Sequence, residues 1–570
     1  MLFVFFQLDK SMKLSKSILV IALAAASGSA LANADLIFTN GDIVTVTGEA
    51  DRAQAVAIKN SKIIAVGSNA DVLKEQGSNT EVRDLGGKTM TPGFIDSHGH
   101  FSQYLPLINS PFVYPSPLGN SDSLPAIQTM IAEYLAQPGL DKDRLHFAFG
   151  YDNTELVEQR HPTRWELDDI SGDFALCLVH ISGHLAVCNS KGLDVIGYNK
   201  DTPAPAGGVI HKTKEGELTG LIEESATYAM FPHLNISPQE LVVNLAKVQD
   251  MFMSYGVTTA QEGLAMAHTM RSMKQMADNN LLKIDLLSYA KWTDFEGIIN
   301  DMPALGKYHN NFKFAGMKIT GDGSPQGKTA YLSTPYFEVP HSHAYHYHGY
   351  PVLNQEEMNH FVDIAFKHNA QLISHANGDA AADQLINAVE KANKKYGERD
   401  HRTTIIHGQT ARLDQIQRMV EANMMASFFP AHTYFWGDYH KKSVLGPWRA
   451  SNISPMGWAN EYGLKFTIHM DAPVVYPDQM RNMWTAVNRI TRSGETLGEW
   501  HKISPYQALE AVTIHAAYQN FEDAEKGTVE VGKRADLVIL EANPLDVDPM
   551  VIKDIKVLET IKDGNTVFTL

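Results

Sequence analysis

Two histidines at the end of an apolar run are the first residues of this chain that could do chemistry. His98 and His100 follow the run Thr91–Ile95 and are separated only by Gly99. Side chains at positions i and i+2 of a strand point to the same side, so the two imidazoles could face one metal ion. Two solvated histidines would share this spacing, so the choice depends on the rest of the chain.

Other polar residues also follow apolar runs of strand length, and most are of types that bind metals. Imidazole and carboxylate groups are common ligands of divalent ions. In α/β barrels, the catalytic residues lie at the carboxyl ends of several strands. Each such residue alone is more often an ordinary core residue, but together they predict a metal site. These residues are Lys318, His375, His407 and Asp471.

The elements that would position these residues alternate between short apolar runs and longer amphipathic stretches. This alternation is typical of βα units, and eight runs predict a (β/α)8 TIM-like barrel over residues 91–519. The gap after the first run is too long for one crossover, which predicts an inserted subdomain at about residues 105–250. The predicted strands are residues 94–98, 256–261, 283–289, 313–319, 371–375, 403–407, 424–429 and 464–470.

Both ends of the chain have a different pattern. Residues 33–90 and 520–570 contain short strand-like runs broken by Asn-Gly and other glycine-containing turns. This pattern predicts one small composite β-sandwich, built from both chain ends and lying beside the barrel.

Residues 1–32 have the features of a secretory signal peptide. Lys13 precedes an apolar run at residues 18–26 and an Ala30-Leu31-Ala32 cleavage site, and we expect Met12 to be the natural start. These features predict removal of the segment and export to the periplasm. An uncleaved membrane tether is the alternative, although the apolar run is short for a membrane span. After removal, no contact with a membrane is expected.

Composition argues against one class of partner and leaves the two cysteines open. A net charge of -17 and an isoelectric point near 5.8 argue against a nucleic-acid-binding protein, which would present a basic face. Cys177 and Cys188 could pair in an oxidising compartment. Cys177 lies in the apolar run from Phe174 to Val179, however, which favours two buried unpaired thiols.

A series of short motifs extends, in order, over nearly all of the chain after residue 90. They are Pro92–His100, Ser182-Gly-His184, Gly256–Thr259, Lys318-x-x-x-Asp-Gly-Ser324, His375–Asp379, Pro430-Ala-His432, Asp471–Val474 and Gly532–Val538. Together they resemble the amidohydrolase superfamily, and within it the YtcJ-like group that includes N-substituted formamide deformylases. The resemblance implies a divalent metal centre, most often with two zinc ions.

The resemblance also implies which residues bind the metals. His98, His100 and Asp471 would hold one ion, and His375 and His407 would hold the other.

Lys318 needs a chemical change to join such a centre. A lysine with an ordinary pKa of about 10.4 would place a cation beside two other cations. We therefore expect Lys318 to be carboxylated by carbon dioxide and to bridge the two ions. A structural ion pair with Asp322 is the alternative.

The implied mechanism is attack by metal-bound hydroxide on a carbonyl group. Asp471 would act as general base towards the water and then as general acid towards the leaving amine. His432 would stabilise the oxyanion or hold the substrate, unless it is a supporting core histidine. His184, Asp322 and Asp379 are assigned to substrate binding, the two aspartates by orienting ligands or shaping loops.

One position departs from the pattern of the family. His469 and Met470 precede Asp471, where the family usually has small residues. We expect their bulk to reshape the wall beside the metals, which weakens any inference about substrate preference.

The sequence therefore predicts a secreted metal-dependent hydrolase of a carbon–nitrogen bond other than a peptide bond. The substrate would be a small molecule containing an amide, a formamide or a cyclic amide. The same site could cleave an ester or a lactone, because attack on a carbonyl does not select the leaving atom. A non-catalytic periplasmic binding or regulatory protein is a further alternative. The sequence leaves open whether the protein forms a homo-oligomer.

Overall fold

A computed structural model describes residues 33–205, 208–234, 236–340 and 345–570. The predicted signal peptide, residues 1–32, lies outside the described residues. Within the described ranges, no helix is both long and apolar enough to cross a membrane.

A parallel sheet of eight strands, here β1 to β8, forms the centre of the molecule, and its spatial order follows the chain order. Every strand predicted for the barrel overlaps one of these strands, and the predicted α/β fold with a parallel sheet is confirmed. In order, they are Phe94–Ile95, Val257–Ala265, Asp285–Lys291, Phe312–Thr320, Gln371–Ala376, Thr404–His407, Met425–Phe428 and Phe466–Ile468. The short strand Tyr308–His309 pairs antiparallel with the beginning of β4.

The strands are apolar because both faces of the sheet are covered. β4 is buried along almost its whole length, as expected for a parallel sheet that is covered on both faces. No ladder joins β8 to β1 within the described ranges. Two hydrogen bonds nevertheless bring these edges together: the Ser97 hydroxyl donates to the Ile468 carbonyl (2.9 Å), and the His100 amide donates to the Ala472 carbonyl (2.7 Å).

Helices follow the strands and cover the outside of the sheet. Between β2 and β7 they are Ala267–Asp278, Phe295–Ile298, Gln355–Lys367, Asp379–Tyr396 and Leu413–Glu421. After β7 they are Ala431–Tyr439, His440–Val444, Gly446–Ser451 and Met456–Tyr462, and after β8 Gln479–Asn488, Glu499–His501, Pro505–Ala511, Ile514–Gln519 and Pro549–Asp554.

A second sheet lies in the long segment between β1 and β2. Its five strands, in spatial order, are Gly208–Lys212, Leu218–Glu224, Leu185–Cys188, Ala175–His180 and Leu145–Tyr151. The helices of this segment are Phe101–Gln103, Tyr104–Leu107, Leu124–Leu135, Arg164–Ser171, Ser190–Val195, Ser225–Leu234 and Pro238–Ser254.

The two cysteines correct one expectation from the sequence. Cys177 and Cys188 lie directly opposite each other on neighbouring antiparallel strands and form a disulfide. The prediction of two unpaired thiols is therefore wrong. Both residues are buried, as the apolar run suggested, but burial does not reveal which strands pair or in which register.

The chain ends form two further sheets. The first has four strands in the order Lys62–Gly67, Ala55–Lys59, Leu36–Thr39 and Glu81–Asp84, with Asn69–Val72 and Leu73–Glu75 as short helices nearby. The second joins both ends in the order Asn565–Thr569, Val557–Lys562, Leu537–Leu540, Thr89–Pro92, Asp42–Val44 and Arg52–Ala53. Apolar side chains of both sheets share one core. The domain boundaries stay predictions.

Candidate metal centre

The first two histidines meet an aspartate from the opposite edge of the sheet. His98 and His100 follow β1, and Asp471 follows β8. Asp471 Oδ1 lies 3.6 Å from His98 Nε2 and 3.4 Å from His100 Nε2. These three side chains can offer ligand atoms that all lie within 4.8 Å of one another. This spacing is suited to a shared metal ion.

The other predicted ligands extend this cluster along the sheet. His407, at the end of β6, has Nε2 3.8 Å from Asp471 Oδ2. The ring of His375, in β5, lies 4.7 Å from the ring of His407 between centroids. Lys318, in β4, places Nζ 3.0 Å from His98 Nε2. The carboxyl ends of five strands therefore bring all six predicted ligands together.

Two of these ligands have an unusual backbone conformation. His407 has a φ of 70° and Asp471 a φ of 52°, both in the left-handed region that most non-glycine residues avoid. Such conformations are often retained at functional sites because the surrounding structure holds them.

A glutamine fixes the orientation of the His98 ring. Gln261 Nε2 donates to the Ser97 carbonyl (2.8 Å), so its amide oxygen faces His98 Nδ1, also at 2.8 Å. The oxygen can only accept, which places a proton on Nδ1. His98 Nε2 is then left with its lone pair, and it accepts a hydrogen bond from Lys318 Nζ.

Asp322 has the same effect on His375. Its Oδ1 lies 3.0 Å from His375 Nδ1, and the carboxylate also accepts from the amides of Tyr331 (3.0 Å), Asn377 (2.9 Å) and Gly378 (2.7 Å). His375 Nε2 accepts from Asn377 Nδ2 at 3.2 Å, so this nitrogen also carries its lone pair. Asp322 thus orients a predicted ligand. Among the ion pairs of the described residues, none joins Asp322 to Lys318.

The remaining predicted residues lie at different places. His432 is buried close to the cluster, 6.2 Å from His407 between ring centroids. His184 lies in the segment between β1 and β2 and contacts Glu224 Oε2 through Nδ1 (3.0 Å). The Asp379 carboxylate accepts from the Ser333 amide (2.8 Å) and from Arg412 (3.0 Å). Roles for His184 and Asp379 in substrate binding stay predictions.

Sequence reasoning missed the residues that support the ligands. Gln261 and Glu262 are buried in the second half of β2, and Glu262 Oε1 lies 3.8 Å from His100 Nδ1. The predicted ligands were identified as polar residues at the carboxyl end of an apolar run. The same rule applies to Gln261 and Glu262. For His469, the sequence suggested only that its bulk would reshape the wall of the site.

Comparison with known proteins identifies the family of this chain. A model of the Amidohydrolase family matches residues 81–568. The chain belongs to this family. It is 25% identical to an N-substituted formamide deformylase of Arthrobacter pascens over 540 residues, which cover 93% of this chain and 97% of that protein. It is also 25% identical to the YtcJ protein of Bacillus subtilis (strain 168) over 572 residues, or 93% and 99% of the two chains.

A solved structure supports the fold of this amidohydrolase. An uncharacterized metal-dependent hydrolase from Pyrococcus horikoshii superposes with a TM-score of 0.72 at 23% identity, over 90% of this chain and 99% of that one. Membership of the family confirms the predicted enzyme class, a metal-dependent hydrolase that acts on carbon–nitrogen bonds other than peptide bonds.

The protonation states of the clustered side chains are suited to binding a metal ion. Burial lowers the pKa of His98 and His407 well below the usual range, so both imidazoles are neutral and can ligate. Burial would raise the pKa of Asp471, but the neighbouring histidines, among them the protonated His100, outweigh it and hold that pKa well below its usual range. Asp471 Oδ1 and His100 Nδ1 are buried without a hydrogen-bond partner among the described residues. A divalent cation would compensate the buried carboxylate.

Two cationic groups of this amidohydrolase are also shifted. Burial alone would lower the pKa of His100, but Asp471 and Glu262 raise it to about 9. Metal binding at His100 would therefore release a proton at neutral pH. Burial lowers the pKa of Lys318 to about 7, which leaves much of its amine uncharged near neutrality.

Proposed function

We propose that this amidohydrolase hydrolyses an amide, formamide or cyclic amide bond of a small molecule and uses two zinc ions. One observation carries the proposal: four histidines, a lysine and an aspartate from five different strands converge at one end of the sheet. The relationship to a formamide deformylase supports the choice of bond. The (β/α)8 barrel, with its insertion and its composite sandwich, is the architecture we propose for the complete chain.

The donor set suits two divalent ions held side by side. His98, His100 and Asp471 would hold one ion, and His375 and His407 would hold the other. When bound, such ions lower the pKa of water and polarise a carbonyl group. The imidazoles of His98 and His375 keep their lone pairs towards the site because their Nδ1 atoms face acceptors.

Asp471 is the residue we propose for proton transfer. Its carboxylate is ionised at neutral pH and Oδ1 has no hydrogen-bond partner among the described residues, so this oxygen can accept a proton from the attacking water. The same oxygen can then donate the proton to the leaving nitrogen. His432 is neutral because burial lowers its pKa, and its single ring proton can be donated to the carbonyl oxygen of the substrate.

Lys318 is proposed to carry a carboxyl group. Carbon dioxide reacts with an uncharged amine: the nitrogen lone pair forms the N–C bond, and Nζ releases one proton. The lowered pKa of Lys318 provides that uncharged form. Its position 3.0 Å from His98 Nε2 would bring the resulting anion to the metal ligands.

We further propose that the enzyme acts in the periplasm after export. The disulfide between Cys177 and Cys188 supports an oxidising compartment, because such bonds rarely persist in a reducing cytosol.

A substrate panel tests the proposed function. Purified protein loaded with Zn²⁺ is assayed against N-substituted formamides, cyclic amides, and esters and lactones of matched size. We expect hydrolysis of a carbon–nitrogen bond, lost in a variant carrying His98→Ala and His100→Ala. Turnover of lactones alone would move the function to the ester class. Full activity in the double variant would overturn the assignment of the site.

A further inference from the structure

His469 lies directly behind one of the proposed metal ligands and has no role in the chemistry above. It follows β8 and is fully buried. Its Nε2 lies 3.0 Å from His407 Nδ1, and its Nδ1 lies 2.8 Å from Ser427 Oγ. The imidazole that the sequence suggested would reshape the wall of the site is thus held by hydrogen bonds on both ring nitrogens.

The contact continues through two hydroxyls to a backbone carbonyl. Ser427 Oγ lies 3.3 Å from Ser97 Oγ, which in turn lies 2.9 Å from the Ile468 carbonyl oxygen. All of these side chains are buried. The contacts join β1, β6, β7 and β8, where the two edges of the sheet meet.

The carbonyl sets the direction of the whole chain of hydrogen bonds. The Ile468 carbonyl can only accept, so the proton of Ser97 is used there. Ser97 must then accept from Ser427, and Ser427 must accept from His469 Nδ1. His469 has one ring proton in its neutral form, which leaves Nε2 as an acceptor for the proton on His407 Nδ1.

We propose that His469 is a positioning residue that fixes the tautomer of His407 and so presents the His407 Nε2 lone pair to the metal. If Ser427 instead donated to His469 Nδ1, no proton would lie between the oxygens of Ser97 and Ser427. That direction would also place the proton of His407 on Nε2, which faces Asp471 Oδ2 at 3.8 Å. The inference rests on the proposed metal site, and it gives His469 a role that a small residue could not supply.

Affinity for Zn²⁺ is the measurement that tests this role. Competition with a chromophoric chelator gives the dissociation constant for the parent protein and for each variant. His469→Leu removes the acceptor, and we expect Zn²⁺ binding to weaken by about 10- to 100-fold, as when other partners of metal-bound histidines are lost. His469→Gln can place an amide oxygen near the position of Nε2, so most of the affinity should return.

Two further variants separate positioning from a general loss of stability. Ser427→Ala removes the hydroxyl that holds His469 Nδ1, and we expect an intermediate loss of affinity. His501→Leu is the control, because His501 is also fully buried but bonds to Asn452 outside the cluster. It should lower the melting temperature without changing the affinity for Zn²⁺.

The outcomes distinguish this inference from the proposed function. Unchanged affinity in both His469→Leu and Ser427→Ala would overturn the role of His469 while leaving the metal site intact. Equal losses in His469→Leu and His469→Gln would also overturn it, because bulk rather than the acceptor would then matter. A parent protein that binds no Zn²⁺ would overturn the proposed function itself. If His469→Leu does not fold, Ser427→Ala and His469→Gln still decide the question.

Discussion

Lys318 is the proposed ligand whose expected chemistry differs most from that of an ordinary lysine. Its amine is almost completely buried and lies among imidazoles rather than beside a carboxylate partner. A permanently charged ammonium would be costly there, and burial lowers its pKa to about 7. Sequence reasoning identified the residue from its position at the end of an apolar run. The burial that makes the amine reactive became visible only in the structure.

Replacement of Lys318 tests the carboxylated form. We expect Lys318→Ala to lower the rate of hydrolysis by about 100-fold or more, because an anionic ligand is lost. Added formate or acetate should restore part of that rate by placing a carboxylate in the space left by the side chain. Lys318→Arg is the matched control: its guanidinium fills the space and should not respond to either acid. Identical behaviour of the two variants in both acids would count against a bridging carboxylate.

A disulfide cross-links two strands of the segment between β1 and β2. Cys177 and Cys188 join neighbouring antiparallel strands across a sequence separation of 11 residues. A loop of this size is expected to contribute about 3 kcal/mol to the free energy of unfolding, through the lost entropy of the unfolded chain.

The Cys177→Ser, Cys188→Ser double variant measures that contribution. We expect its free energy of unfolding in urea to fall by about 3 kcal/mol. The parent protein treated with reductant should lose a similar amount, and the double variant should not respond to reductant. Labelling of the denatured parent should find no free thiol. Two reactive thiols per chain in the untreated protein would contradict the cross-link.

The elements of the sheet were predictable because apolar runs of strand length are a direct consequence of burial on both faces. Their ends were less predictable: β1 stops at Ile95, and residues 96–98 turn towards the cluster instead of continuing the strand. Contacts that depend on which strands become neighbours could not be predicted. The disulfide and the bond between His469 and His407 are both of this kind, since each requires a register that no local pattern encodes.

At the scale of the whole molecule, a buried ionic network attaches the C-terminal segment to the central sheet. Asp285, at the start of β3, contacts Lys526 Nζ (2.6 Å), Lys562 Nζ (2.9 Å) and Arg534 Nη1 (3.0 Å). Burial would raise the pKa of Asp285, but these cations outweigh it and lower that pKa far below the usual range. Because Asp285 begins β3, the network lies at the opposite end of the strands from the predicted metal ligands.

Acid should therefore weaken this attachment. A carboxylate with a lowered pKa in the folded state contributes stability above its unfolded pKa of about 3.9 and loses that contribution as the pH falls further. We expect Asp285→Asn to cost about 3–5 kcal/mol at neutral pH, because the cations lose their buried partner. The free energy of unfolding is measured from pH 3 to pH 7 in the variant and in the parent. Below about pH 4 it should fall less steeply in the variant. If the free energy of unfolding changes with pH in the same way in both proteins, Asp285 is not the source of the loss of stability in acid.

The metal centre that we propose is formed by His98, His100, Lys318, His375, His407 and Asp471. Anomalous diffraction from crystals of the zinc-loaded protein, recorded on both sides of the zinc absorption edge, tests it most directly. We predict two peaks, one beside His98, His100 and Asp471 and one beside His375 and His407, with ligand distances of about 2.0–2.2 Å. A map with zinc bound elsewhere, or with no peak within reach of His98 and Asp471, would overturn this metal centre.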